Sequence, residues 1–168
     1  IGQYAHGNEP SHHMAYLYNY VGKPQKTIER VRGICKDFYK NSVDGLIGNE
    51  DCGQMSAWYV FSSLGFYPVC PGSTQYVLSE PIFKQIVLNF ENGKKFQITR
   101  DSANGKPVSG ILLNEKLQNA SFIEHNIISG GGKLKFQHSI TNSEANYYGF
   151  DLSDRPSSNV KEVDIIPA

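Results

Sequence analysis

Apolar residues recur with two different periods along the chain, and the change of period separates a helical part from a strand part. Before Gly72 they recur every three or four positions, which is the period of a helix lying on a core. Pro24 suits the first turn of a helix, whereas Gly22 and Gly65 suit the residue that follows one. The pattern therefore predicts three helices, over residues 11–21, 24–39 and 52–64.

Beyond Gly72, apolar and polar residues alternate with a period of two, which is typical of strands with one buried face. The predicted strands cover residues 76–78, 85–90, 95–99, 110–113, 122–123 with 127–128, and 133–138. Asn92-Gly93 lies between the second and third of them and predicts a hairpin closed by a type I′ turn.

Helices followed by strands predict an α+β fold, and two arrangements satisfy this order. The strands either form a sandwich of their own or make one antiparallel β-sheet, with about three helices packed on it in two layers. We favour the two-layer arrangement, because a chain of 168 residues suits one core. The chain is then a single domain, with a helical part over residues 1–72, a sheet part over 73–150 and an irregular tail over 151–168.

Charge and composition narrow the classes of function. The 16 Lys and Arg residues balance 16 Asp and Glu residues, and no basic run occurs, so nothing indicates nucleic-acid binding. No stretch approaches the roughly 20 apolar residues of a membrane-spanning helix. The chain starts at Ile1 rather than at a methionine, inside what reads as an active-site loop, so we expect it to be a piece of a longer protein.

Three of the five histidines and two oxygen-donor side chains are concentrated in one short loop that begins at His6. The side chains of Asn8 and Glu9 suit a hard cation, and calcium (Ca2+) is the ligand we favour. Zinc is the rival, because His6, His12 and His13 add nitrogen donors, and a polar network that caps the following helix is the structural alternative. His12 and His13 diverge by about 100° around a helix, so we predict that at most one of them is functional.

A second candidate loop, residues 41–53, combines acidic side chains with glycines that permit tight turns. Asp51 and Gln54 have the spacing of a helix capping box, so a structural role is open to Asp51. We predict that the two loops converge, because carboxylates beside aromatic rings are typical of sites that hydrolyse sugars. In that site, His6 and Trp58 are the predicted substrate-binding residues.

The two loops carry long motifs. From His6 the first reads HGNEPSHH, and about forty positions later, from Gly48, the second reads GNEDCGQMSAWYVFSSLGFYPV. In order and spacing, these motifs resemble the C-terminal end of glycoside hydrolase family 92, and the later strand region resembles it less distinctively. That family comprises calcium-dependent exo-acting α-mannosidases, built from an N-terminal β-sandwich and an (α/α)6 barrel.

The resemblance implies roles for four residues. Asp51 matches the general base of an inverting mechanism, and Asn8 and Glu9 match the residues that bind calcium. Asn49 stands where some members have a second carboxylate in contact with the attacking water. An asparagine can hold that water by hydrogen bonds but cannot take its proton, so Asp51 would act alone.

The resemblance also implies a substrate, a partner and a cellular location for the parent protein. The substrate would be a mannose-containing glycan with terminal α-mannosidic bonds. The remainder of the parent chain would supply the general acid, so we expect the isolated chain to be inactive. We expect the parent protein to be periplasmic, at the cell surface or secreted in a bacterium. A calcium-dependent carbohydrate-binding module and a purely structural domain are the alternatives.

Overall fold

The first part of the chain is helical, as the hydrophobic period predicts, but its first helix takes the tighter 3₁₀ form. The computed structural model describes residues 4–101, 106–138 and 148–158. A 3₁₀ turn at Glu9–Ser11 is followed by a 3₁₀ helix at Met14–Val21, which ends at Gly22 with φ 69°. The single continuous helix predicted over residues 11–21 is therefore wrong in its geometry.

Contacts with the sheet region determine the path of this segment. Its tyrosines and its asparagine are weak helix formers, so its intrinsic preference for an α-helix is small. Asn19 is fully buried, and its carboxamide donates to the backbone oxygens of Leu78 and Ser121, both at 2.9 Å. The segment thus follows the surface on which it packs rather than its own propensity.

Two α-helices follow, and both were predicted from the sequence. Helix α1, Pro24–Phe38, begins at the predicted proline and buries one face, which consists of Pro24, Thr27, Ile28, Val31, Ile34 and Cys35. Helix α2, Gln54–Leu64, starts two residues later than predicted and ends at Gly65 with φ 94°. Met55 and Trp58 of α2 are fully buried, whereas Val60 is 54% exposed, so this helix is open on one side.

In the described residues, eight strands form two sheets, which differs from the single antiparallel sheet of our prediction. They are β1 Phe66–Tyr67, β2 Gln75–Leu78, β3 Gln85–Asn89, β4 Lys95–Arg100, β5 Gly110–Leu113, β6 Lys116–Leu117, β7 Phe122–Glu124 and β8 Gly132–Gln137. The smaller sheet has the order β1-β2-β7, and the larger has the order β3-β4-β8-β5-β6. β8 is antiparallel to β5 but parallel to β4, which the long connection between them permits. The α+β class is confirmed.

The predicted hairpin between β3 and β4 is present, but its turn is of another type. Gly93 has φ 77°, whereas Asn92 is not left-handed, and a type I′ turn needs both central residues at positive φ. The amide of Gly93 donates to Phe90 O at 2.9 Å, and Asn92 Oδ1 accepts from the Lys94 amide at 2.9 Å. The loop is therefore the three-residue kind, in which a glycine follows an ordinary turn.

Residues 127–128, predicted as a strand, belong instead to helix α3, His125–Gly130. Isoleucine favours strands only where it packs on a sheet surface, and here Ile128 is buried from a helical turn. The amide of His125 donates to Thr74 O at 2.8 Å, so the chain leaves the small sheet at that point. Strands β1 and β6 have two residues each and were missed, since two residues show no period.

Two clusters of buried side chains hold the layers together. The larger lies among the strands and includes Leu78, Phe96, Ile98, Leu134 and Phe136. The second lies among the helices and β1 and includes Tyr16, Val31, Ile34, Trp58 and Tyr67. This second cluster matters for function, because the two candidate loops lie at its edge.

A buried carboxylate ties helix α1 to the larger sheet. Glu80 accepts a hydrogen bond from Arg32 of α1, from Arg100 of β4 at 3.4 Å and from His138 at 3.1 Å.

None of the helices in the described ranges has the length and apolar character to cross a membrane. Of the predicted irregular tail, residues 151–158 contain a short 3₁₀ segment, Leu152–Asp154, and residues 159–168 lie outside the described residues.

Candidate functional site

The two candidate loops meet at a pair of glycines. A Cβ atom on Gly7 would lie 2.5 Å from the backbone oxygen of Ile47, and one on Gly48 would lie 3.1 Å from the backbone oxygen of Gly7. Gly48 also has φ 104°, a conformation that other residues rarely adopt. The loops can therefore approach backbone to backbone only because both positions are glycine. The predicted convergence of the two loops is confirmed.

This approach brings the carboxyl groups of Glu9 and Asp51 within hydrogen-bonding reach of each other. The contact with Asp51 lowers the pKa of Glu9, and the contact with Glu9, followed by desolvation and the charges of Glu9 and Glu50, raises the pKa of Asp51. The proximity of the two groups therefore favours the charged form of Glu9 and disfavours that of Asp51.

Asp51 stands in a strained turn that leads into α2. Asp51 has φ 49°, Cys52 has φ 58° and Gly53 has φ 90°, so three consecutive residues are left-handed. For the two that are not glycine, this conformation costs about 1–3 kcal/mol each. Amides of α2 hold the turn: Gln54 N donates to Asp51 O, and Met55 N donates to Glu50 O, both at 3.2 Å. Strain of this kind occurs preferentially at functional positions.

The N-cap residue of α2 is Gly53, and the carboxylate that bonds to the first turn of this helix belongs to Glu50, not to Asp51. The Glu50 carboxylate accepts from the Ser56 amide at 3.0 Å and from the Ser56 hydroxyl at 2.8 Å. The Gln54 side chain points elsewhere, toward His12 Nδ1 and the Tyr67 hydroxyl, both at 3.1 Å. The capping-box alternative for Asp51 is therefore wrong, and its exposed side chain has no role in starting the helix.

His6 lies in the core behind the loop, in a chain of hydrogen bonds. The Tyr39 hydroxyl donates to Met55 O at 3.1 Å, so it accepts from His6 Nε2 at 2.6 Å. His6 Nδ1 then accepts from the Tyr4 hydroxyl at 2.8 Å. Burial, and then the neighbouring His12, lowers the pKa of His6 to about 4, so the ring is neutral at pH 7.

Trp58 is buried in the same place. Its Nε1 donates to His12 O at 2.9 Å, its ring centroid lies 4.4 Å from that of His6, and the side chain has no exposed surface. His6 is 1% exposed, and further protein packed around the chain could only cover both rings more. The geometry therefore disagrees with the predicted substrate contacts of His6 and Trp58; both rings support the loop from behind.

The engaged histidine nitrogens argue against zinc. Both ring nitrogens of His6 are hydrogen-bonded, and so are those of His12, to His6 O at 3.0 Å and to Gln54 at 3.1 Å. Of the three histidines proposed as zinc ligands, His6 and His12 therefore have no free ring nitrogen to offer a metal ion. Within the described ranges, no group of three or more His, Cys, Asp and Glu side chains is placed to hold a metal ion.

Glu9 nevertheless fits a hard cation. Its Oε1 is covered from solvent and has no N–H or O–H partner among the described residues, so an ionised Glu9 leaves one oxygen without a positive partner. Asn8, next to it, is exposed and adds an amide oxygen. Carboxylate and amide oxygens are the donors that calcium prefers. A calcium ion here would take its other ligands from water, from a bound sugar or from additional chain.

Comparison with known proteins places this arrangement in a family. The model of the glycosyl hydrolase family 92 catalytic domain matches residues 1–139. The chain belongs to glycosyl hydrolase family 92.

Solved structures and a curated relative agree with this assignment. A family 92 α-mannosidase from Bacteroides thetaiotaomicron is 41% identical over 95% of this chain and 22% of its own, with a TM-score of 0.85. A family 92 inverting mannosidase from Bacteroides thetaiotaomicron VPI-5482 is 39% identical over 94% of this chain and 21% of its own, with a TM-score of 0.83. A protein described as an uncharacterized secreted glycosidase, from Arthroderma benhamiae, is 27% identical over 157 residues, which are 90% of this chain and 20% of that protein. The chain spans about a fifth of the length of each.

Two cavities of this family 92 chain, of about 670 Å³ and 640 Å³, are lined by residues of α1, and neither of the two is lined by Glu9 or Asp51. Tyr39 and the side chain of Gln54 both contact the first loop, and no sequence pattern predicted either contact. Tyr39 lies 33 residues from its partner His6, and no local pattern signals such a contact.

Proposed function

We propose that the chain is the C-terminal portion of an inverting, calcium-dependent exo-α-mannosidase that hydrolyses terminal α-mannosidic bonds of glycans. The observation that carries the proposal is the contact between Glu9 and Asp51 where the two motif loops meet. Family membership and the two Bacteroides thetaiotaomicron mannosidases support the substrate class.

In this proposal Asp51 is the general base. An inverting enzyme removes a proton from water on the face of the sugar opposite the leaving group. Asp51 is exposed and does not cap α2, and its strained turn fixes the position of its backbone. Asn49, also exposed, can orient the water through its carboxamide but cannot take the proton.

Asn8 and Glu9 would hold the calcium ion. The ion would supply a fixed positive charge beside the sugar hydroxyls and the developing oxocarbenium ion. A cation on Glu9 would offset its negative charge and so favour the ionised form of Asp51, which is the form that can act as a base.

The isolated chain should not release mannose. The general acid, expected roughly 6.5–9.5 Å from the base, would come from the remainder of the parent chain, and losing such a group commonly costs a factor of about 10²–10⁴. Incubation of the 168-residue chain with an α-mannoside and calcium should give no more mannose than a blank without protein. Clear turnover would show that the chain contains its own acid.

Calcium binding can be tested without turnover. We expect titration calorimetry to detect binding of Ca2+ to the 168-residue chain, and Glu9→Gln to remove it, because the unpaired negative charge of Glu9 is lost. At a calcium concentration 100 times the Kd, binding should stabilise the fold by about 2.7 kcal/mol in thermal unfolding. Glu50→Gln is the matched control and should leave binding intact, since Glu50 faces Ser56. Equal binding by the wild-type and Glu9→Gln chains would contradict the site.

We also propose that the parent protein acts outside the cytoplasm of a bacterium, in the periplasm, at the cell surface or as a secreted enzyme. The relative that is described as a secreted glycosidase supports a place outside the cytoplasm, and the two similar mannosidases of Bacteroides thetaiotaomicron support a bacterial source. Its partners would be a mannose-containing glycan and the remainder of the parent chain.

A further inference from the structure

His12 has a defined hydrogen position, which follows from its neighbours. Its Nε2 lies 3.0 Å from the backbone oxygen of His6, which can only accept, so Nε2 carries the hydrogen. In a neutral ring Nδ1 then has a lone pair and needs a donor. The Gln54 side chain lies 3.1 Å from Nδ1, so it must present its NH₂ group there.

Gln54 also holds the other loop. Its backbone amide donates to Asp51 O at 3.2 Å, within the strained turn that precedes α2. The second hydrogen of its NH₂ group reaches the Tyr67 hydroxyl at 3.1 Å, which fixes the plane of the amide. One residue therefore contacts Asp51 through its main chain and the histidine loop through its side chain.

We infer that Gln54 is a positioning residue, which holds the His12 ring at Nδ1 and through it the place of the turn that carries Glu9 beside Asp51. The link from His12 to that turn is direct: Nε2 holds His6 O, and the His12 amide donates to Glu9 O at 2.9 Å. Trp58 also fixes the backbone of His12, since its Nε1 donates to His12 O. The inference rests on the proposed function for its consequence in catalysis, but not for its geometry.

Nuclear magnetic resonance of the ¹⁵N-labelled 168-residue chain tests the geometry. In the wild type, His12 should show a hydrogen on Nε2 and none on Nδ1. Gln54→Glu keeps the shape but offers only acceptors, so a hydrogen should appear on Nδ1. Gln54→Met removes the donor, and the Nε2 hydrogen should exchange with water up to about tenfold faster. Amide signals of residues 7–9 should shift in both variants.

Tyr67→Phe is the matched control, because it removes the other partner of Gln54 and leaves the bond to His12. It should leave the His12 hydrogen on Nε2 and the amide signals of residues 7–9 in place. If Gln54→Met does not fold, Gln54→Glu decides alone. The inference is overturned if Nδ1 stays without a hydrogen in Gln54→Glu, or if Tyr67→Phe shifts the loop signals as much as the Gln54 variants do.

Calcium titration of the same samples separates this inference from the proposed function. Groups that orient a metal ligand commonly contribute a factor of about 10–100 in affinity, so Gln54→Met should weaken Ca2+ binding by that amount and Tyr67→Phe should not. If the wild-type chain binds no calcium, the proposed metal site fails. The His12 and loop signals would then still support or overturn the positioning role of Gln54.

Discussion

Asp51→Asn in the full-length enzyme should fold normally and lose about 10²–10⁴ in kcat, the loss typical when a general base is removed. Asparagine keeps the shape of the side chain and tolerates a positive φ, so the strained turn should persist. Its amide can still hold water but cannot take a proton. Steady-state kinetics on an α-mannoside give kcat and KM, and thermal unfolding of the 168-residue chain checks the fold.

The neighbouring carboxylate gives the matched control. Glu50→Gln should weaken the bonds to Ser56 that stabilise the start of α2, and should lower the free energy of unfolding by about 0.5–2 kcal/mol. Its kcat at a temperature well below unfolding should stay close to the wild-type value. The opposite pattern, an active Asp51→Asn enzyme beside an inactive Glu50→Gln enzyme, would assign the base to Glu50 and refute the proposal.

The sequence predicts those elements of the fold whose signals are local. Helix α1 has a proline at its start and a long amphipathic period, and the β3–β4 hairpin has Asn92-Gly93 between two alternating runs. Tertiary contacts decide the remainder. The position of β8 between β4 and β5 depends on pairing between distant segments of the chain. Ile127 and Ile128 are residues typical of strands, yet they lie in helix α3. No window of neighbouring residues contains that information.

The candidate site shows the same division. The motifs pointed to Asn8, Glu9 and Asp51, and the carboxylates and aromatic rings of the two loops predicted that the loops converge, as the close approach of Gly7 and Gly48 shows. The motifs did not reveal which of their side chains are buried. A tryptophan or a histidine near carboxylates is typical of a sugar-binding surface. Whether it faces solvent or the core depends on residues such as Tyr39 and Gln54, which contact the loop from other elements.

Trp58→Ala should lower the free energy of unfolding by about 3–5 kcal/mol, the range for removing a large buried aromatic side chain. The change would also leave His12 O without its donor and would remove the ring against which His6 packs. Unfolding in urea, followed by circular dichroism, measures the loss. Since many domains are stable by only about 5–15 kcal/mol, this loss is a large share of the total, and the urea concentration at the midpoint of unfolding should fall markedly.

Trp58→Phe distinguishes a supporting ring from a substrate-binding one. Phenylalanine keeps most of the buried volume but has no Nε1–H, so we expect a loss of about 1–3 kcal/mol in stability from the unpaired His12 O. In the full-length enzyme, KM for an α-mannoside should change little at a temperature where the variant is folded. If Trp58 instead stacked on the sugar, the same substitution would leave stability nearly unchanged and raise KM. The fully buried ring argues for the first result, because a side chain without exposed surface has no face to offer a ligand.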